Sequence, residues 1–419
     1  MTKNKSNFSK FMLLWMGELI SSIGGGLTSF GLGVYVFGKT GSAASMALVT
    51  LLGFLPTLLL SVPAGVLADR HDRRLLMMIG DGFSALGILY ILICMIQGEA
   101  ELWQICTGVF ISSSFSALLE PSYRATVTDL LTKEEYSKAS GMVSLAGSAR
   151  YLVSPVLAGA LLTVSDIKLL LIIDICTFFP TVIAAAFIKK EIASKQTEKD
   201  VSFAESLKIG GKAVTEKRGV LVLTVVSSLI TCFMGVFQIL AQPLILDFAD
   251  SATLGTAETI CACGMVVSGV ILGAVGIKKG YVKILSVSLF FAGIGMAGFG
   301  IWENIFVICI FGFIFFAMLP FANSCLDYLV RTNIADELQG RAWGLIGFIS
   351  QLGYVAAYAL AGAAADGISA HTGISVGRGA AQVIIISGVL LCASALFMYS
   401  LKSVRSLEAT ENDKKADIQ

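Results

Sequence analysis

The stretch "GVLADRHDRR", Gly65 to Arg74, places five charged residues and a histidine within six positions. The segment before it, "SMALVTLLGFLPTLLLSVPA", contains no charge, and the segment after it, "LLMMIGDGFSALGILYILICMI", is nearly as apolar. Long apolar segments joined by a short charged connection are typical of a chain that crosses a membrane repeatedly. The stretch therefore predicts a tight loop between two membrane-spanning helices.

The composition of the whole chain agrees with this interpretation. The chain has 419 residues, of which 56% are hydrophobic and 14% are charged, and its mean hydropathy is +0.82. Soluble domains carry about 25% charged residues. Backbone polar groups must be paired inside hydrocarbon, so apolar runs of about 20 residues cross it as helices. We predict an all-α membrane protein with no metal site, no cofactor and no nucleic-acid partner.

Twelve spans are predicted, and one long polar segment divides them six and six. The corresponding domains are an N-terminal bundle at 1–188, a linker at 189–218, a C-terminal bundle at 219–401 and a tail at 402–419. The predicted spans are 11–38, 43–68, 75–97, 102–131, 139–163, 168–188, 219–247, 253–277, 281–301, 304–330, 341–365 and 379–401.

The distribution of lysine and arginine predicts the orientation. With the N-terminus inside, 25 of the 30 basic residues lie on the inner side and three lie in outer loops. The other two, Arg124 and Arg150, lie within spans. We therefore expect a multi-pass protein of a bacterial-type plasma membrane with both termini in the cytoplasm, and "DRHDRR" in an inner loop.

An internal repeat relates the two halves. A shift of 203 positions places "KASGMV" (Lys138 to Val143) on "RAWGLI" (Arg341 to Ile346), and a shift of 208 places Gly65 on Gly273. The second copy of the charged loop, "GAVGIKKGYVK", has Ile277 where the first copy has Asp69. Two six-helix halves in parallel repeat are the architecture expected of an alternating-access transporter.

The first loop also carries a family resemblance. It resembles the loop 2–3 signature of the major facilitator superfamily, G-x-x-x-D-R-x-G-R-R, although Asp72 stands where the family usually has glycine. The stretches "LWMGELISSIGGGLTSFGLGVYVFGKTGS", "LLEPSYRATVTDLL" and "LQGRAWGLIGFISQLG" resemble its macrolide-efflux-type and siderophore-export-type branch. The resemblance implies the major facilitator fold, with two pseudo-symmetric six-helix bundles and substrate transport by alternating access.

The resemblance also implies a role for the loop. In the family, the acid and the arginine of this signature latch the two halves on the inner side. We therefore predict a cytoplasmic gate in which Asp69 meets the start of the eleventh span and Arg73 pairs with Asp129. For Arg74 and His71 we expect only anchoring at the inner leaflet. The predicted gate residues are Gly65, Asp69, Arg70, Arg73 and Asp129.

Ionisable side chains inside hydrocarbon are functional candidates because they are costly there. Four such residues are predicted to form the proton or substrate site: Glu18, Arg150, Asp174 and Asp327. Glu18 precedes "SSIGGG", whose glycines are expected to loosen the first helix. Glu120, Arg124 and Glu258 lie nearer span ends, where contact with the interface is the simpler interpretation. His71 and His371 lie in loops, which leaves buried carboxylates as the proton carriers.

Two departures from proton antiporters of the family are visible. The fourth span lacks an arginine at its centre, and in "RYLVSPVLAG" three glycines of the antiporter signature are replaced by Arg150, Ser154 and Ala158.

The cavity is expected to be large and apolar, which suits bulky amphipathic compounds. We therefore predict export of such drug-like molecules by a monomer in contact with membrane lipids, coupled to protons. Siderophore export and lysophospholipid flipping are the alternatives, and neither an ATP site nor an output domain for a sensor is evident. The predicted lining residues are Phe30, Tyr35, Phe110, Phe115, Phe233, Phe237, Gln238, Phe311, Phe315 and Asn323.

Overall fold

The computed structural model describes residues 7–132, 135–191, 211–212 and 214–408. Within these residues the regular structure is entirely helical, and twelve segments are long and apolar enough to cross a membrane. The helices are α1 (Phe8–Thr40), α2 (Ala43–Arg70), α3 (Arg73–Gln97), α4 (Leu102–Ser116), α5 (Leu119–Leu130), α6 (Tyr136–Leu152), α7 (Ser154–Val164), α8 (Ile167–Glu191), α9 (Arg218–Leu246), α10 (Ser251–Val275), α11 (Tyr281–Phe299), α12 (Ile305–Asn333), α13 (Asp336–Thr372), α14 (Val376–Ser400) and the short α15 (402–408).

Two of the predicted spans are interrupted. The fourth breaks between α4 and α5, and the fifth breaks at Val153 between α6 and α7. A proline lies close to each break: Pro121 lies four positions after Ala117, and Pro155 is the second residue of α7. Proline lacks an N–H, and its ring clashes with the carbonyl four residues earlier. Each proline therefore weakens the helix at its break, although α2, α8, α9 and α12 continue through internal prolines.

The chain divides into two units. Unit 1 comprises the described residues within Met1–Gly41, Ser45–Lys199 and Asp250–Thr256, and unit 2 those within Ser42–Ala44, Asp200–Ala249 and Ala257–Gln419. In unit 1, α1 packs on α6, α7 and α8, while α3 packs on α4, α5 and α8. In unit 2, α9 packs on α13 and α14, while α11 packs on α12 and α14. The two packing patterns correspond helix by helix, as expected for two pseudo-symmetric six-helix bundles.

The structure corrects the expectation for α1. The helix continues without interruption through Gly24, Gly25 and Gly26, so these glycines do not loosen it. Instead they provide close contact, because a methyl group at Gly24 would overlap with Thr177 and one at Gly26 with Ser154. The Ser154 hydroxyl, which replaces a glycine of the antiporter signature, donates to the Ile23 carbonyl at 3.0 Å. Small residues at helix interfaces of membrane proteins serve this purpose.

The tail expected at 402–419 begins as part of unit 2. In α15, Val404 and Leu407 are buried, and the Leu407 carbonyl accepts from Asn333 Nδ2 at 3.2 Å. The Glu408 carboxylate accepts from the backbone N–H groups of Gly280 (2.6 Å), Tyr281 (3.1 Å) and Val282 (3.3 Å) at the start of α11. Residues 409–419 lie outside the described residues, as do 192–210 and 213 of the predicted linker.

Candidate functional site

Three glycines spaced by seven residues bring α1 against α8 in unit 1. A methyl group at Gly17 would press on the backbone of Thr181, at Gly24 on Thr177 and Asp174, and at Gly31 on Leu170. A seven-residue repeat keeps one stripe of a helix facing its partner over several turns. The close approach buries Asp174 between the two helices, where 2% of its surface is exposed.

Two further acids lie near Asp174 inside unit 1. Asp81 of α3 is 2% exposed and lies within Coulombic range of both Glu18 of α1 and Asp174. Neither Glu18 Oε2 nor Asp81 Oδ2 has a hydrogen-bond partner among the described residues. Thr177 Oγ1 lies 3.5 Å from Asp174 Oδ1, and Ser22 contacts Glu18. Three helices thus present an acid each to the same interior region, which we call the acid cluster (Glu18, Asp81 and Asp174).

No basic side chain in the described part of the chain forms an ion pair with the acid cluster. The ion pairs found among the described residues leave out all three acids. Arg150 of α6 lies within Coulombic range of Asp174, but it is exposed. The described residues also contain no group of three His, Cys, Asp or Glu side chains that could hold a metal ion. The arrangement is suited to binding protons, because protonation removes the cost of a carboxylate in hydrocarbon.

Tyr123 of α5 completes the surroundings of Glu18. Its ring is buried, its hydroxyl has no hydrogen-bond partner among the described residues, and it lies within Coulombic range of Glu18. Glu120, one turn earlier on the same helix, also acts on Glu18 through space, although it is itself exposed and paired with Arg124 at 2.8 Å. A phenol hydroxyl can donate a hydrogen bond to a neighbouring carboxylate.

Sequence reasoning missed Asp81. It is the only acid in the apolar run Leu75–Ile96, within "MMIGDGFS", and the rule applied to the other spans would have selected it. The flanking Gly80 and Gly82 give the stretch the appearance of a turn. In the structure α3 continues through all three residues.

Three of the five predicted gate residues, Asp69, Arg73 and Asp129, lie close together in unit 1. Arg73 Nη1 lies 2.8 Å from Asp129 Oδ1, and Arg73 Nε donates to the Ala68 carbonyl at 3.2 Å. This guanidinium therefore connects the last turn of α2 with α5. Asp69 is 61% exposed and lies 3.9 Å from Arg73 Nη2. Gly65 is half-buried, and Arg70 is exposed.

The structure corrects the expectation for Arg74. Anchoring at a lipid surface requires exposure, but Arg74 is 0% exposed, and its Nη2 lies 3.9 Å from Asp129 Oδ2. Two guanidinium groups thus share one carboxylate. Asp72, at the family's usual glycine position, caps α3 by accepting from the Arg74 N–H at 3.0 Å. Both residues position the loop.

The third acid of the predicted site, Asp327, has different surroundings. It lies on α12 in unit 2, is 47% exposed, and accepts from Arg331 Nε at 2.8 Å one turn later. An exposed pair of opposite charges on one helix face is an ordinary surface arrangement. We therefore leave Asp327 out of the candidate site.

The predicted lining residues fall into three groups by burial. Phe237 packs against Phe299, Phe315 and Phe316 with ring centroids 4.5 to 5.2 Å apart, so it belongs to an aromatic cluster inside unit 2. Rings buried in this way pack against neighbouring helices rather than contact a ligand. The buried residues are Phe30, Phe233, Phe237 and Phe315; the half-buried ones are Tyr35, Phe115, Gln238 and Phe311; Phe110 and Asn323 are exposed.

Comparison with known proteins agrees with this architecture. The chain is 25% identical over 408 residues to macrolide efflux protein A of Streptococcus pyogenes, covering 95% of this chain and 97% of that protein. It is 24% identical over 347 residues to the staphyloferrin A transporter of Staphylococcus aureus, covering 81% and 84%. A bacterial homologue of the iron transporter ferroportin, solved in an inward-facing state, superposes with a TM-score of 0.74 at 14% identity, covering 95% of this chain and all of that chain.

The family model that matches is that of the Major Facilitator Superfamily, over residues 14–358. With twelve candidate spans, the protein is a multi-pass membrane transporter and not an enzyme. The chain belongs to the Major Facilitator Superfamily.

Proposed function

We propose that this transporter exports bulky amphipathic small molecules in exchange for protons, and that the acid cluster of unit 1 binds those protons. The observation that carries the proposal is the burial of Asp81 and Asp174 beside Glu18 without an ion-pair partner among the described residues. Buried acids that have no base beside them repel one another when charged, which favours a protonated carboxyl group. Similarity to macrolide efflux proteins supports the substrate class.

The second part of the proposal concerns the loop at Gly65 to Arg74. We propose that Asp69, Arg70 and Arg73 act with Gly65 and Asp129 as a gate on the cytoplasmic side, with both termini on that side. The Arg73–Asp129 pair supports this role because it fixes the loop to α5. The Asp69 carboxylate is exposed at the end of α2, where a partner residue can reach it.

Inverted membrane vesicles provide the test of proton coupling. A dye that reports internal acidity is added, followed by macrolides, cationic dyes or siderophores one at a time. We expect amphipathic drugs to dissipate the pH gradient, and we expect Glu18→Gln, Asp81→Asn and Asp174→Asn each to abolish at least 90% of that response. Asp166→Asn is the matched control, because Asp166 is an exposed acid paired with Lys168.

Three outcomes would contradict the proposal. Dissipation by siderophores alone would favour the staphyloferrin-type alternative. Full activity of all three acid variants would remove the acid cluster from coupling. A complete lack of response, with correctly folded protein in the vesicles, would point to lipid cargo or to another driving ion.

A further inference from the structure

The loop between α10 and α11 of unit 2 borders a cavity of about 520 Å³. Apolar side chains from three helices line it, namely Val275 of α10, Ile284 of α11 and Phe321 of α12. Lys278 and Lys279 of the loop also line it. We call it the lysine cavity (Val275, Lys278, Lys279, Ile284 and Phe321). It combines an apolar wall with two positive charges.

The two lysines of this cavity are available to an anion. Both side chains are exposed, and the ion pairs found among the described residues include neither of them. The second copy of the charged loop, "GAVGIKKGYVK", contains three lysines and no acid. In the first copy, by contrast, Arg73 and Arg74 are buried beside Asp129. The basic residues of the first loop therefore bind protein, whereas those of the second loop face outward.

The backbone of the second loop is held at both ends. Gly276 and Gly280 have φ angles of 67° and 78°, which glycine adopts without strain. The Glu408 carboxylate accepts hydrogen bonds from three backbone N–H groups at the start of α11, so it fixes the loop there. A fixed loop loses little conformational freedom when it binds a ligand. The lysines are thus presented to a ligand by a preformed turn.

The apolar wall of the cavity extends from the loop into the span. Tyr281 begins α11 and stacks on Tyr328 of α12. Phe321 lies seven residues nearer the middle of α12 than Tyr328, which is about 10 Å along the helix. Farther along α11, Val287 and Phe291 share a face and are 44% and 47% exposed. Positive charge at the helix ends and an apolar surface running inward match the polarity of a phospholipid.

We propose that the lysine cavity binds an anionic phospholipid. Lys278 and Lys279 contact its phosphate, and an acyl chain lies against Phe321 and along α11. Lysines near a membrane surface are attracted to anionic head groups, and burial of the acyl chain adds a hydrophobic contribution. The inference goes beyond the proposed export function and does not depend on it, because it names a lipid partner of unit 2 rather than a cargo or a coupling ion.

Native mass spectrometry of the purified full-length protein in detergent tests this assignment without requiring transport. The probes are phosphatidylglycerol and phosphatidylcholine with identical acyl chains, and glycerol 3-phosphate as a head group without chains. We expect the tightest lipid site to prefer phosphatidylglycerol by about fivefold or more, and glycerol 3-phosphate not to compete for it. Lys278→Gln combined with Lys279→Gln should weaken phosphatidylglycerol binding there about tenfold or more.

Two further variants separate a specific site from general attraction between charges. Lys212→Gln combined with Lys402→Gln is the matched control, because both are exposed lysines of unit 2 outside the cavity. This pair removes the same charge and should leave phosphatidylglycerol binding within about twofold of the wild type. Val275→Trp keeps the charge but fills part of the cavity, and Val275 is 68% exposed, so the larger side chain can be accommodated. It should weaken phosphatidylglycerol binding about fivefold.

Thermal unfolding of each variant separates lost binding from lost folding. Equal affinity of the wild-type protein for the two lipids would overturn the inference. So would an equal loss of binding in the control pair, or unchanged binding in Val275→Trp, since either would reduce the lysines to a general surface charge. Competition by glycerol 3-phosphate at the concentration of the lipid would assign the lysines to a soluble phosphate and would overturn the lipid assignment.

Discussion

The two halves of the molecule contain equivalent loops that are held by different chemistry. Arg73 begins α3 in unit 1 and Tyr281 begins α11 in unit 2, 208 positions later, the shift that aligns Gly65 with Gly273. In unit 1, Arg73 pairs with Asp129 of α5. In unit 2, Tyr281 stacks on Tyr328 of α12 with ring centroids 3.6 Å apart. An ion pair in one unit thus corresponds to an aromatic stack in the other.

The two loops also use different residues to contact the preceding chain and to cap the helix that follows. Arg73 donates to the Ala68 carbonyl, and the Tyr281 hydroxyl donates to the Ile277 carbonyl at 2.6 Å. The α3 amides are capped by Asp72 from the adjacent position, while the α11 amides are capped by Glu408. Gly280, which corresponds to Asp72, has a positive φ of 78° and no side chain. The comparison teaches that the repeat preserves a loop at this place but not its length or its contacts, since two residues separate α2 from α3 and five separate α10 from α11. Of the two loop copies, only the first has an exposed acid, Asp69.

Removing Asp129, the acid shared by Arg73 and Arg74, should have the largest effect on stability. Asp129→Asn leaves Arg73 and Arg74 without the carboxylate they share, and breaking a buried pair in this way costs about 3–5 kcal/mol. Chemical unfolding of the purified protein in detergent would measure the loss. Asp69→Asn is the control, since an exposed acid should contribute less than about 1 kcal/mol. Equal small losses for both would mean that the pair does not stabilise the loop.

The aromatic stack of unit 2 should contribute less. A double-mutant cycle with Tyr281→Leu and Tyr328→Leu is expected to give a coupling energy of about 0.5–1.5 kcal/mol, the range for aromatic pairs. The same unfolding measurement supplies the four free energies. A coupling energy near zero would show that the two rings are neighbours without mutual stabilisation, and that the correspondence with the ion pair is geometric only.

The contribution of the α11 cap to stability should be smaller still and confined to the start of that helix. Glu408→Ala is expected to cost about 1 kcal/mol, as for the loss of a helix cap. Hydrogen exchange followed by mass spectrometry should show faster exchange in the peptide containing Gly280 to Val282, which loses its acceptor. The corresponding peptide at the start of α3 serves as the internal control. Unchanged exchange at α11 would contradict the assignment of Glu408 as its cap.

The smallest stability change, at Asp69, should accompany a large change in function. Asp69→Asn is expected to leave the amount of folded protein within about twofold of the wild type while transport in the vesicle assay falls at least tenfold. Ile277→Asn, at the equivalent position of unit 2, is the matched comparison and should leave transport within about twofold. A parallel fall of transport and folded protein in Asp69→Asn would reduce its role to folding.

The sequence predicts the spans well because hydrocarbon imposes a strong constraint. The second span was expected at 43–68 and is found at Ala43–Arg70, and the fourth was expected at 102–131 and lies within Leu102–Leu130. The break before Pro121 cannot be read from the proline alone, because α2, α8, α9 and α12 continue through internal prolines. The burial of Arg74 cannot be read either, because the signature places three arginines in one loop. Only the fold shows that Arg73 and Arg74 are buried beside Asp129 while Arg70 is exposed.

The same difference separates the candidate residues. Glu18 and Asp174 were identifiable as acids in apolar runs, but their proximity to Asp81 depends on how α1, α3 and α8 pack. The seven-residue spacing of Gly17, Gly24 and Gly31 was visible in the sequence, and it predicts a packing stripe without naming the partner helix. Side-chain chemistry is therefore readable locally, whereas the grouping of side chains into sites is a property of the fold.

The large sequence separation between Glu408 and the helix start that it caps has a consequence for biosynthesis. The partner of Gly280 is made 128 residues later, and at about 5–20 residues per second the ribosome needs on the order of 10 s to supply it. The loop of unit 1 has its cap from the adjacent Asp72 and its ion pair after 56 further residues. During synthesis the second loop therefore lacks this cap until residue 408 has been made. A nascent chain halted before residue 408 would have the cap and the ion pair of the first loop but would lack the cap of the second.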